Sequence, residues 1–256
     1  MKNHFFIGYY GNKRQEVEKI YDEIKNNLEN KEFIIEPYCG SSALSYYIWL
    51  NNKDKNYKYI LNDNNKFIIE LYKISKDENK FDKFIEDLKT MFNECKNKED
   101  YNKIFKNSKD DLLSYIYVNR IYSIRPGLYP IRIFKPECFN SIKNAPIIDF
   151  VRNANIEFLN IDGIELYEKY KDNDKAFLFL DPPYMNSNNS FYKNPSLLIY
   201  EHLFINDINK NKAYITLCLE NNWIIKLLFK DKKNILYDKK YETTKKSTTH
   251  ILILNK

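Results

Sequence analysis

The stretch Ala176-Phe177-Leu178-Phe179-Leu180-Asp181-Pro182-Pro183-Tyr184 constrains this chain more than any other. Five consecutive apolar residues, too few for a helix and without polar alternation, predict a strand buried on both faces, as in the middle of a parallel sheet. Two adjacent prolines then end the ladder, since neither has an N–H to give, and turn the chain out at the strand's carboxyl end. Asp181 is left at that edge as an acceptor. The Pro182 carbonyl is released from any continuing strand, and Tyr184 offers a flat face just beyond. Those three groups suit a planar amino group, whose two hydrogens need two acceptors and whose ring needs a surface to stack on.

The rest of the chain alternates between strands and helices. Residues 13–29 predict an amphipathic helix, with Val17, Ile20, Tyr21, Ile24 and Leu28 on one face. A strand at 33–35 is broken by Glu36-Pro37 and followed by a helix through Ala43, Leu44, Tyr47, Ile48 and Leu50. A second strand, 57–61, ends in Asn62-Asp63. Helices are predicted over 65–76 and 80–95, a helical apolar stretch over 110–122, and an Arg- and Pro-rich loop over 123–147. Strands at 156–160, 176–180, 214–217 and 251–254, with a helix at 163–170, resume the alternation. The fold class predicted is α/β, a Rossmann-like doubly wound sheet with an inserted, mostly helical domain. The sheet domain would comprise 1–64 and 148–256, and the insertion 65–147.

Charge and cysteine usage narrow the function classes. Net charge is +6, and residues 101–145 carry eight Lys/Arg against three acids. Arg120, Arg125, Arg132 and Lys135 fall in that block, with Arg14 and Arg152 the arginines outside it. A surface facing a polyanion accounts for this, and so does a solvated face in a lysine-rich chain. Residues 226–246 form a second basic block. Cys39, Cys95, Cys138 and Cys218 and three distant histidines show no metal-ligand spacing, so no metal site is expected, and free thiols fit a reducing, cytoplasmic setting. No apolar run approaches the length of about 20 residues that a membrane span requires, and the N-terminus lacks a signal-peptide core.

Two loops point to a nucleoside ligand. Phe33 to Ser42 has a strand, a tight turn at Gly40 and a helix start, a form that lets backbone approach a ligand. Asp63 ends the next strand, where an acid can accept hydrogen bonds from both hydroxyls of a ribose. A plain βα turn and a structural Asn-Asp turn would look the same.

Taken in order, these segments resemble the Dam-like family of DNA adenine methyltransferases. Tyr9-Tyr10-Gly11-Asn12-Lys13 stands where that family has an aromatic-x-Gly-Gly-Lys motif, and Glu36-Pro37-Tyr38-Cys39-Gly40 is similar to its Glu-Pro-Phe-x-Gly loop. Leu61-Asn62-Asp63 with Leu71-Tyr72-Lys73, Phe158 to Asp162, and Leu252 to Asn255 resemble its other segments, and Asp181-Pro182-Pro183-Tyr184 is its catalytic motif unchanged. The resemblance implies S-adenosylmethionine as cofactor, a class I methyltransferase sheet, and methyl transfer to the amino group of an adenine flipped out of double-stranded DNA, as in restriction–modification systems. It assigns catalysis to Asp181, Pro182, Pro183 and Tyr184, with Phe191 or Tyr192 on the base's other face. Cofactor contacts would come from Tyr9, Gly11, Lys13, Glu36, Tyr38, Gly40, Asp63, Asp162 and Asp181, and DNA contacts from Asn119, Arg120, Arg125, Arg132 and Lys135. RNA as substrate, and a nucleic-acid-binding subunit without catalysis, are the alternatives, and the oligomeric state expected is a monomer or weak dimer. The chain departs from the family at Asn12 and at Ser42, both places where glycine is common. A small serine is tolerable at position 42 if its φ is negative. The segment Pro130 to Pro136 replaces a basic hairpin, so no recognition sequence carries over.

Overall fold

In the computed structural model, strand β4 (Ala176–Leu180) is buried over its whole length, as its apolar run requires. Described residues are 5–6, 13–122, 137–184, 198–205, 208–240 and 247–255. β4 pairs in parallel with β1 (Phe33–Glu36) on one side and β5 (Tyr214–Glu220) on the other. Outside β1 lie β2 (Lys58–Asn62) and then β3 (Asn155–Leu159), both parallel. Outside β5, β7 (Ser247–Leu254) runs antiparallel and pairs with the edge strand β6 (Lys233–Lys240). The order β3-β2-β1-β4-β5-β7-β6, with β7 reversed, is the class I methyltransferase arrangement. Winding changes direction between β1 and β4, and the crevice outside their carboxyl ends is where such sheets bind ligands.

The chain divides into two compact units, residues 13–66 with 154–256 and residues 1–12 with 67–153. The first holds the sheet with α1 (Val17–Ile24), α2 (Ala43–Asn51), α9 (Gly163–Tyr170), α10 (Leu198–Ile205) and α11 (Trp223–Leu228). α1 buries Val17, Ile20 and Ile24 at helical spacing and stops well short of residue 29, because Lys25–Asn27 tighten into a 3-10 turn. Alternate residues of the central strands, Leu178 and Leu180, Leu217 and Leu219, Ile251 and Ile253, form one core with Leu166, Tyr167, Ile199 and Leu203. Period two in the strands meets period three to four in the helices, which is how a sheet face is covered.

The second unit is helical: α3 (Lys66–Lys76), entering it at Phe67, α4 (Glu78–Glu94), α5 (Lys98–Asn107), α6 (Leu112–Ile116), a π-helical turn over Tyr117–Tyr122, α7 (Glu137–Lys143) and α8 (Ile147–Asn153). Phe6 packs on Tyr72 and Phe81 in its core. α7 corrects the sequence expectation. α5 buries only Tyr101 and so carries almost no apolar stripe, but Asn97 caps it by accepting from the N–H groups of Glu99 and Asp100. α7 falls where Arg and Pro content predicted a loop, whereas α5 and nearly all of α8 lie where the sequence predicted no element. No helix among the described residues is long and apolar enough to cross a membrane.

Candidate active site

The carboxyl ends of β1, β2, β3 and β4 bring most of the expected residues of this unit together. After β1 the turn reaches α2 through two left-handed residues, Gly40 (φ 46°) and Ser42 (φ 47°). Ser42 thus takes the conformation that favours glycine, so the condition of a negative φ is not met. It makes no capping bond from its side chain to α2. Glu36 does so instead: its buried Oε1 accepts the Ser45 N–H at 2.8 Å, three residues into the helix. Burial pushes the Glu36 carboxyl up to about 7, the Ser45 bonds working against it and the charge of Asp181 with it.

Asp63, at the end of β2, braces that turn. Its Oδ2 accepts the Gly40 N–H at 2.9 Å, and its Oδ1 accepts the Asn65 N–H at 2.8 Å. Each carboxylate oxygen has a second lone pair beyond these bonds. Asn62 was not expected to matter, yet its side chain joins three loops. It donates to the carbonyls of Pro37 and Ile161 and accepts from the Ile161 N–H. Asp162 caps α9, its Oδ1 accepting from Ile164 at 2.8 Å. The Tyr38 ring covers Gly163, where a Cβ would lie 2.6 Å from two ring carbons, so a side chain there would displace the ring. Burial, with the charge of Asp162 added, raises the Tyr38 phenol well above its usual range.

At the end of β4, Asp181 is held by two neighbours. Lys13 Nζ lies 2.6 Å from Oδ2, and the Tyr184 hydroxyl donates to Oδ1 at 3.2 Å. Lys13 also donates to the Tyr184 oxygen at 2.9 Å, closing a three-membered ring of contacts. Burial works against the Lys13 charge, but Asp181 holds its ammonium protonated well above the usual lysine range. The Tyr200 hydroxyl, from α10, donates to the Pro183 carbonyl at 3.0 Å. Among the described residues no donor takes the Pro182 carbonyl. The motif therefore presents one carbonyl and the outer lone pairs of one carboxylate.

Behind Tyr184 lies a layer that the sequence did not announce. The His250 ring meets Tyr184 at 88°, with 5.4 Å between centroids. His250 Nδ1 is 3.0 Å from Glu16 Oε2, the Tyr237 hydroxyl donates to the same oxygen at 2.8 Å, and Lys239 Nζ sits 2.5 Å from Oε1. Glu16, Cys218 and His250 lie close enough to share a cation. Glu16 is already engaged there: Lys239 pairs with Oε1, and Tyr237 and His250 both reach Oε2.

Other expected residues are not part of this constellation. Tyr9, Gly11, Arg125, Arg132, Lys135, Phe191 and Tyr192 lie outside the described residues. Asn119 and Arg120 fall in the π-helical turn of the helical unit, where the Asn119 amide donates to the Tyr115 carbonyl at 2.8 Å. A π-turn of this kind often marks a functional position.

No curated protein matches the chain. Among solved structures it is similar to a precorrin-6y C5,15-methyltransferase from Geobacter metallireducens GS-15, at 10% identity and a TM-score of 0.40, over 99% of this chain and 98% of that one. That likeness is too loose to bear on function. The family model for D12 class N6 adenine-specific DNA methyltransferases matches residues 9–245. With the Asp181-Pro182-Pro183-Tyr184 motif placed at the switch point of the sheet, this chain belongs to the D12 class N6 adenine-specific DNA methyltransferases.

Proposed function

We propose that the chain methylates the exocyclic amino nitrogen of an adenine flipped out of double-stranded DNA, using S-adenosylmethionine. The observation that carries this reading is the pair of acceptors at the end of β4. Tyr200 occupies the Pro183 carbonyl, while the Pro182 carbonyl and the outer lone pairs of Asp181 remain for an amino group's two hydrogens.

The donor set at the neighbouring strand ends suits the cofactor. Asp63 can accept from ribose hydroxyls through its second lone pairs, Asp162 and Tyr38 flank the place of a base, and the Gly40 turn brings backbone close. When bound, S-adenosylmethionine supplies a methyl group on a sulfonium, already electrophilic enough to need no metal or acid. Asp181 and Pro182 then do the work of orientation. By accepting both hydrogens they draw the amino nitrogen out of conjugation with its ring and turn its lone pair toward the incoming carbon. As the N–C bond formed and the sulfonium–methyl bond broke, leaving a neutral thioether, the nitrogen would become cationic; the Asp181 carboxylate would stabilise that charge until the surplus proton passes to solvent. Lys13 limits how far Asp181 can move. Tyr184 gives the base a stacking surface, which offsets part of the few kcal/mol spent on unstacking it.

Transfer of a tritiated methyl group from S-adenosylmethionine to unmethylated duplex DNA tests the reading. Incorporation into N6-methyladenine is expected, and Asp181→Ala should abolish it while leaving the thermal transition in place. Turnover retained by Asp181→Ala would overturn the mechanism, and label found in RNA alone would replace the substrate.

A further inference from the structure

The proposed reaction leaves a buried charged cluster without a role. Glu16 is 2% exposed, Lys239 6% and His250 0%. Four separate parts of the sheet unit supply the cluster: Glu16 just ahead of α1, Cys218 on β5, Tyr237 and Lys239 on β6, and His250 on β7. Ion pairs at this depth lose more hydration than their attraction returns unless further bonds hold them, and apolar side chains of similar size serve folding as well. This one has the further bonds: Tyr237 and His250 both reach Glu16 Oε2, and Cys218 Sγ lies 2.9 Å from the Tyr237 hydroxyl.

What the cluster touches is the acceptor site. His250 fixes one edge of the Tyr184 ring. Although burial opposes it, Lys13, the His250 bond and Lys239 together hold the Glu16 carboxyl well below the usual carboxylate range. Lys13 makes its ion pair with Asp181, and Glu16 makes its own with Lys239 and His250. Two buried or nearly buried ion pairs, Asp181–Lys13 and Glu16–Lys239, are thus joined through the Tyr184 and His250 rings.

We infer that Glu16 is a positioning residue for methyl transfer: its carboxylate, with Lys239, fixes the His250 ring that backs Tyr184, and through the Tyr184 hydroxyl it sets the place of Asp181 and Lys13. The inference rests on the reading of Asp181 and Tyr184 given above. With Glu16 neutral, Lys239 loses its counter-charge and the His250 ring loses the carboxylate that fixes it behind Tyr184. In-line transfer tolerates little displacement, and a shift of about 1 Å can cost about 100-fold in rate.

The test is Glu16→Gln, which keeps shape and removes charge, assayed with S-adenosylmethionine and duplex DNA. Expected is a fall in kcat of about 10- to 100-fold, with KM for DNA and cofactor affinity by calorimetry within about twofold of wild type. Adding Lys239→Met restores neutrality, and the double variant should recover at least about fivefold of the lost kcat. A purely structural Glu16 would lower the melting temperature, leave kcat unchanged well below it, and show no recovery in the double variant; that result overturns the inference. If Glu16→Gln does not fold, Tyr237→Phe, which removes one hydroxyl bond to Glu16, carries the same test with an expected loss of about 3- to 10-fold, and wild-type kcat there is equally fatal. Asp181→Ala run alongside separates the two failures. If it stays active, the acceptor reading falls; if it is dead while Glu16→Gln is unaffected, only the role of Glu16 falls.

Discussion

Ser42 carries a backbone conformation that its own side chain resists. A φ of 47° puts its Cβ against the following carbonyl, a cost of roughly 1–2 kcal/mol for a residue other than glycine. The turn imposes it, because the Ser42 N–H donates to the Cys39 carbonyl at 2.6 Å and the Ser42 carbonyl already accepts from Tyr46 to start α2. Glycine gives back part of the relief through the greater freedom of its unfolded chain. Ser42→Gly should therefore stabilise the protein by up to about 1 kcal/mol, read as a higher urea midpoint at unchanged slope. A lower midpoint would mean that the Ser42 side chain contributes more to the turn than its backbone costs. The sequence displayed a serine where glycine is common, but φ at that position follows from hydrogen bonds between separate segments. No local pattern reports those. Gly163 is similar: it is the Tyr38 ring, distant in sequence, that a Cβ there would displace.

Helix α2 begins with its cap displaced from the adjacent serine to the strand behind it, and this has a pH signature. Glu36 bonds the Ser45 N–H from a buried position, and its carboxyl is pushed up to about 7 from an ordinary 4.5, burial being the main cause. A group whose folded pKa is raised binds more protons folded than unfolded between those two values. Stability from this group is thus complete below about 4.5, declines as pH rises, and is lost above about 7. The span corresponds to about 3 kcal/mol at most, as an order of magnitude. Glu36→Gln keeps a carbonyl for Ser45 and removes the titration. Its stability relative to wild type should rise steadily between pH 4.5 and 8 in urea melts. A flat difference across that range would mean that Glu36 does not change its proton occupancy on folding. The sequence placed Glu36 beside a ligand loop, and the structure gives it a second task that a linear motif does not encode.

Across the whole molecule, the parallel half of the sheet was legible because each of its strands is a short apolar run closed by Asn, Asp or Pro. The antiparallel edge was not. β6 is a lysine-rich strand with Leu236 half exposed, the composition that protects a sheet edge from pairing with another chain, and such a strand has no clean alternation to read. The layer behind Tyr184 was hidden for a related reason, since Glu16, Tyr237, Lys239 and His250 meet only after β6 and β7 have paired. The helical unit poses the converse case, with charge legible and structure partly so. Residues 101–145 hold eight Lys/Arg against three acids, and we assign this block to the DNA backbone because guanidinium groups bind phosphate and guanine edges in two-pronged fashion. Arg120 sits in the π-helical turn, and Arg125 follows it in the chain. Replacing both with alanine should weaken duplex binding and reduce the slope of log affinity against log salt by about 0.9 for each phosphate no longer neutralised, or about 1.8 for two. Cofactor affinity should stay within about twofold, because Tyr38, Gly40, Asp63 and Asp162, proposed to hold S-adenosylmethionine, belong to the sheet unit. Fluorescence anisotropy with a labelled duplex between about 50 and 200 mM salt gives the slope, and calorimetry gives the cofactor arm. Wild-type affinity and slope in the double variant would make this block a solvated face and move the assignment to the basic residues of 226–246. A weaker affinity at unchanged slope would instead mean that the two arginines read bases rather than phosphates.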